Sequence, residues 1–121
     1  MPKSIPNGKY LGLERILITG GAGFIGCNLA HHLISKGIRV RILDNLSRPG
    51  TERNLRWLKS QAGGLLSICR DDVRDARAVD KAVKNMDAVF HLAAQVAVTT
   101  SVKDPRLDFE VNALGTLSAY P

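Results

Sequence analysis

The sequence predicts an α/β fold: a parallel sheet with helices on both faces. Three observations predict it. Short apolar runs of strand length alternate with segments whose apolar residues recur at helical spacing. A cluster of glycines stands where the first apolar run gives way to the first helical segment. Helix signals, Gly37 as a stop and Asp75 as a start, fall at the boundaries between the two patterns. Strands joined through helices imply right-handed crossovers and therefore parallel pairing.

Each element follows in order. Arg15-Ile16-Leu17-Ile18-Thr19 is apolar, ends in glycines and reads as a buried strand. Phe24 to Lys36 places Ile25, Leu29 and Leu33 four apart on one helical face, and Gly37 ends it. Ile38 to Leu43 is a second strand with partial alternation, followed by a loop from Ser47 to Gly50. Thr51 to Gln61 reads as a helix with Leu55, Trp57 and Leu58 as its apolar residues, broken by Gly63-Gly64. Leu65 to Cys69 is a third strand. Asp75 caps a helix to about Asn85, with Ala76, Val79, Val83 and Met86 facing inward. Asp87 to Leu92 is a fourth strand. Asp104-Pro105 then starts a helix with Leu107, Val111, Leu114 and Leu117 as its stripe. The expected sheet order is 3-2-1 with the fourth strand beyond the first. The switch point, where open sheets of this kind bind ligands, then falls between strands 1 and 4. Residues 1–14 read as a flexible leader and 15–121 as part of one domain.

Composition narrows the function. The chain has 121 residues, 45% of them apolar, enough for one core. No apolar run approaches the ~18–20 residues of a membrane span, and the leader has no apolar core of a secretory signal. A cytoplasmic, membrane-free protein is expected. Cys27 and Cys69 read as buried thiols, and no cluster suggests a metal site. The net charge of +6 raises nucleic-acid binding. Its lysines and arginines are dispersed, without basic runs or interleaved aromatics, so no nucleic-acid partner is expected.

The functional motif is Gly20-Gly21-Ala22-Gly23-Phe24-Ile25-Gly26, with glycines at 20, 23 and 26. After a strand and opening a helix, this spacing is the phosphate-binding turn of a Rossmann-type dinucleotide fold. Gly20 permits the tight turn, Gly23 lets backbone approach a pyrophosphate, and Gly26 lets helix and strand pack closely. The helix N-terminus adds free N–H groups and partial positive charge. Asp44 stands at the end of the second strand, 18 residues after Gly26. Its carboxylate suits the adenosine ribose hydroxyls and repels a 2′-phosphate, favouring NAD over NADP. Arg48 nearby works slightly against that preference. The plainer readings, an ordinary strand–helix turn and a solvated loop acid, do not explain why both occur at this spacing.

Here the chain resembles the extended short-chain dehydrogenase/reductases of the NAD-dependent epimerase/dehydratase family, from about Arg15 to Leu117. Asp71-Asp72-Val73-Arg74-Asp75 resembles the family's adenine-side motif, His91-Leu92-Ala93-Ala94 its fourth-strand motif and Asn112-Ala113-Leu114-Gly115-Thr116 its Asn-x-x-Gly-Thr helix. Two stretches, Asp44 to Leu58 and Ala94 to Ser101, are similar to a branch that epimerises a CDP-linked dideoxyhexose through a transient keto intermediate. The resemblance implies that Phe24 and Ile25 offer backbone N–H groups to the pyrophosphate. It implies that Asp44 and Asn45 hold the ribose, and that Asp72, with Val73 beside it, meets the adenine. Leu92, Ala93, Ala94 and Gln95 would line the nicotinamide side, with Asn112 in support. Thr99 and Thr100 would lie on the substrate side.

The same resemblance implies a catalytic Tyr-x-x-x-Lys pair. The tyrosines here are Tyr10 and Tyr120, and neither has a lysine four residues on. The expectation is therefore the NAD-binding part of an isomerase, truncated after about four strands and inactive as a fragment, with no catalytic residue. A nucleotide-sugar substrate would bind only in a longer parent. Self-association through an uncovered sheet edge is expected. The alternatives are a stand-alone NAD-binding or regulatory module and, more remotely, a basic nucleic-acid-binding domain.

Overall fold

The computed structural model of the chain describes residues 12–93. Seven elements follow in the expected alternation: β1 (Arg15–Thr19), α1 (Phe24–Ser35), β2 (Arg39–Leu43), α2 (Thr51–Ala62), β3 (Leu66–Cys69), α3 (Ala76–Val83) and β4 (Ala88–His91). The strands form one parallel sheet in the order β3-β2-β1-β4, as the strand–helix alternation predicts. The expected helix after Asp104, and the roles expected of Ala94, Gln95, Thr99, Thr100 and Asn112, lie outside the described residues, as does most of the leader.

β1 is apolar at successive positions because both its faces are covered. Ile16 and Ile18 join Val40 and Ile42 under α1 and α2, where Ala30, Leu33, Leu55 and Leu58 close the layer. Leu17 and Leu43 point to the other face, against Val79 and Ala82 of α3 and Val73 before it. Helices therefore cover both faces. Each fully buried Leu or Ile contributes roughly 1.5–3 kcal/mol of transfer free energy.

Helix boundaries carry their chemistry. Asp75 caps α3, its Oδ1 accepting from the N–H groups of Arg77 and Ala78 at 3.1 and 3.3 Å. Gly37 follows α1 with φ +81° and donates its N–H to the Ile34 carbonyl, the left-handed ending that favours glycine. Asp87 precedes β4. Its Oδ2 accepts from the N–H groups of Glu14 and Arg15, tying the starts of β1 and β4 together.

Three helix faces differ from the spacing-based expectation. The inward residues of α1 are Gly26, Cys27, Ala30, Leu33 and Ile34, while Ile25 is 71% exposed. The first turn of α1 follows the glycine loop at the C-terminal end of β1, where no layer among the described residues buries Ile25. On α3, Ala82 is buried and Ala76 is exposed. That helix ends at Val83 rather than near Asn85, which takes φ +63°. Arg41 reaches from β2 to its end, donating through Nη1 to the carbonyls of Ala82 and Lys84. Trp57 turns away from the core and packs on His31 of α1, ring centroids 4.8 Å apart. Cys27 is buried and Cys69 half-buried, both free thiols, and burial pushes the Cys27 thiol pKa up. Among the described residues no helix is long and apolar enough to cross a membrane.

Candidate functional site

A cleft of about 370 Å³ opens at the C-terminal ends of the strands. The glycine loop between β1 and α1 forms one wall. Gly20 takes φ +69° and donates its N–H to the Leu43 carbonyl at 2.8 Å. A Cβ on Gly20 would meet the Ala93 backbone nitrogen at 2.9 Å. One on Gly26 would meet the Gly20 carbonyl oxygen at 2.5 Å and Gly21 Cα at 2.7 Å. These two glycines are required by the protein itself, for turn geometry and for packing of helix against loop.

Gly23 is different. Its φ is −74°, open to any residue, and the nearest contact for an added Cβ is the Gly20 carbonyl oxygen at 3.4 Å. It lines the cleft. Neither strain nor packing within the described residues demands glycine there. A close-approaching ligand would. Gly23 is also the N-cap of α1 and brings no side-chain cap to the first-turn amides that follow it, those of Phe24 and Ile25 included. The helix thus presents its positive end beside the cleft. The side chains of Phe24 and Ile25 are 80% and 71% exposed.

The opposite wall is acidic and amide-rich. Asp44, directly after β2, accepts from Ala22 N–H through Oδ2 at 3.0 Å and from Leu46 N–H through Oδ1 at 2.8 Å. An ionised carboxylate has about four acceptor positions, so each oxygen retains one. Asn45 accepts from Ser47 N–H and donates to Asp72 Oδ2 at 3.2 Å. Asp72 is fully engaged: Oδ1 accepts from Arg74 N and Nε, and Oδ2 from Arg74 Nη2 and from Asn45. The hydrogen bonds from the Arg74 side chain are the main reason its carboxyl titrates below the ordinary value. Val73 beside it is buried and lines the cleft.

The floor is the exit of β4, where Leu92 and Ala93 line the cleft. Thr19, fully buried at the end of β1, holds them. Its hydroxyl oxygen accepts from the N–H groups of Leu92 and Ala93 at 3.0 and 3.2 Å and lies 2.6 Å from His91 Nδ1. Burial lowers the His91 pKa from its ordinary value.

Gly20, Gly23, Asp44, Asn45, Asp72, Val73, Leu92 and Ala93 thus converge on one cleft, with Phe24 and Ile25 at its helix end and Gly26 beneath the loop. Sequence reasoning missed three supports. Gly21 is pressed on Ile42, where a Cβ would come within 2.6 Å. Asn54 of α2 donates to the Ala22 carbonyl at 2.8 Å, so α2 and Asp44 hold the same residue from two sides. Thr19 ends β1 as a polar residue in an apolar strand. That polarity was the one available signal. The other two supports arise from tertiary contacts that local spacing does not encode.

Residues 17–119 match the family described as GDP-mannose 4,6 dehydratase. The CDP-paratose 2-epimerase of Salmonella typhi is 45% identical over 106 residues, covering 86% of this chain and 31% of that protein. A bifunctional UDP-glucose and UDP-xylose 4-epimerase of Arabidopsis thaliana is 37% identical over 113 residues, covering 88% and 32%. Among solved structures, the Thermus thermophilus UDP-glucose 4-epimerase in complex with NAD superposes with a TM-score of 0.71 at 41% identity, covering 87% of this chain and 32% of that one. A dTDP-glucose 4,6-dehydratase from Streptomyces venezuelae with NAD and TYD bound gives 0.76 at 31% identity, covering 87% and 34%. The chain spans about a third of the length of the curated relatives it matches.

Proposed function

Because the chain belongs to the GDP-mannose 4,6 dehydratase family, we propose that its cleft binds NAD, and that it is the cofactor-binding part of a nucleotide-sugar epimerase. The observation that carries the reading is Gly23, a glycine on the cleft wall that neither its own conformation nor its protein neighbours require. A pyrophosphate drawn to the uncapped N-terminus of α1 needs that space, and the N–H groups of Phe24 and Ile25 are there to receive it. The NAD-bound T. thermophilus and S. venezuelae structures support the choice of cofactor.

The chain's own residues divide the binding work. Asp44 spends one acceptor position of each oxygen on the loop and offers the others to the adenosine ribose hydroxyls. Its charge disfavours a 2′-phosphate. Asp72 has no acceptor position to spare, so an adenine amino group reaching it displaces the Asn45 bond, at 3.2 Å the longest of its four. Asn45, released, joins Asp44 at the ribose. Leu92 and Ala93 give the nicotinamide end an apolar floor, and the sequence resemblance assigns Ala94, Gln95 and Asn112 to the same end. NAD supplies a hydride acceptor at that end. The substrate is a nucleotide-linked sugar, with a CDP-linked dideoxyhexose favoured by the resemblance to the Salmonella typhi epimerase. Thr99 and Thr100 are assigned to the substrate by the sequence resemblance alone. In the absence of a Tyr-x-x-x-Lys pair, the 121 residues bind cofactor without turnover.

Calorimetric titration of NAD and NADP into the purified chain tests this. NAD is expected to bind at least tenfold more tightly than NADP, and Asp44→Ala to remove the difference. Equal affinity for both, or tighter NADP, would overturn the assignment of Asp44.

A further inference from the structure

The hydrogen bonds around Thr19 leave one arrangement of its proton. A hydroxyl accepts two hydrogen bonds and donates one. Both acceptor positions of Thr19 Oγ1 are taken, by the N–H groups of Leu92 and Ala93, the first of these shared with the Thr19 carbonyl. The hydroxyl proton must therefore point at the third neighbour, His91 Nδ1, at 2.6 Å. That nitrogen is the acceptor, and the ring proton resides on Nε2. The two amides so held are the exit of β4, the floor of the cleft, pressed so close to Gly20 that a Cβ there would meet Ala93 N at 2.9 Å.

We propose that His91, as its neutral Nε2–H tautomer, is a positioning residue for the dinucleotide cleft: by accepting the Thr19 hydroxyl proton it keeps both Thr19 lone pairs free to hold the Leu92 and Ala93 amides. With Nδ1 protonated, two protons oppose each other and the Thr19 proton has to rotate toward one of those amides; with no acceptor at position 91, nothing holds it away from them. One bond to the floor is then lost. The effect on cofactor passes through Thr19 and the backbone. The inference rests on the NAD reading for its functional consequence only.

Burial of the ring, which disfavours its charged form, acts in the same direction. Among the described residues, the other titratable and charged groups around this end of the sheet are Asp44 after β2, Arg48 in the loop that follows, Cys69 at the end of β3, and Asp71, Asp72 and Arg74 in the following turn. β1 contributes only Thr19 at this level, with Arg15 at its far end. The variant His91→Asn separates the ring from all of them. Its Oδ1 stands as many bonds from the backbone as Nδ1 does and accepts a proton, yet it does not titrate.

The first measurement is the tautomer of His91 in the intact 121-residue chain, by long-range proton–nitrogen correlation at mildly alkaline pH. The Nε2–H form is expected, changing to a mixture in Thr19→Val. A proton on Nδ1 in the wild type would overturn the proposal whether or not NAD binds. The second is hydrogen exchange at Leu92 and Ala93. Protection of Ala93 should fall on the order of fivefold to tenfold in His91→Leu and stay near wild type in His91→Asn. Leu92 should lose less, because its N–H keeps the Thr19 carbonyl. The third is NAD affinity against pH. The wild type should weaken as pH falls through the lowered His91 pKa, while His91→Asn stays flat over the same range. Equal losses in the Asn and Leu variants, or the same pH profile in wild type and Asn, would contradict a positioning role. Absence of NAD binding at every pH would refute the cofactor reading, and the tautomer and exchange results would still decide the part played by His91.

Discussion

Two glycines three positions apart in the same turn face different demands. Gly26 has backbone within 2.5 Å of where its Cβ would be, whereas Gly23 has only a carbonyl at 3.4 Å. Gly26→Ala should therefore cost about 2–3 kcal/mol of folding stability through overpacking, seen as an earlier urea midpoint. Gly23→Ala should change stability by no more than about 1 kcal/mol but weaken NAD at least tenfold in a calorimetric titration. Comparable destabilisation by both would remove the ligand-based account of Gly23. Titration behaviour also belongs at this scale. Asp87 accepts the Glu14 and Arg15 amides, and these bonds hold its carboxyl below the usual value of 3.8. A lowered carboxylate stabilises the fold above its unfolded pKa, and that contribution is lost as pH falls through the folded pKa. Asp87→Asn should therefore flatten the acid limb of a stability–pH curve below about pH 4, measured by urea unfolding at each pH.

At the scale of elements, the strands and their order were readable because apolar runs and glycine or aspartate boundaries are local signals. The helix faces were less so. Ile25, Leu29 and Leu33 are correctly spaced for a stripe, yet Ile25 lies in the first turn, where none of the described residues covers it. The partial alternation of β2 gave Arg41 no role beyond a polar position in a strand. Arg41 is instead the cation at the C-terminus of α3, where it complements the helix dipole and satisfies two carbonyls. Arg41→Leu should cost about 1–2 kcal/mol, with α3 amides losing hydrogen-exchange protection before those of α1. Uniform loss across the sheet and both helices would contradict the capping role. The site was legible where a motif is contiguous, as in the glycine turn and Asp44. It was not legible where a contact spans distant elements, as with Asn54 on Ala22 and Thr19 on the exit of β4.

On the scale of the whole molecule, the cleft depends on the sheet that presents it. Leu17 is fully buried between β2, β4 and α3. Leu17→Ala should cost about 2–5 kcal/mol, enough to remove cofactor binding along with the fold. Among the described residues β3 and β4 are the two edges of the sheet, and at β4 and just past it Val89, Phe90 and Leu92 are each more than a third exposed. An apolar edge of this kind favours pairing with another chain, so sedimentation should show concentration-dependent association that Val89→Lys suppresses. The most direct test of the cofactor account is a nitrogen–proton correlation spectrum of the chain titrated with NAD. Shifts centred on residues 20–26, Asp44, Asn45, Asp72, Val73, Leu92 and Ala93 would agree with it. Shifts centred on Arg15, Arg39 and Arg41 at the opposite end of the sheet, or none at millimolar NAD with a folded spectrum, would contradict it.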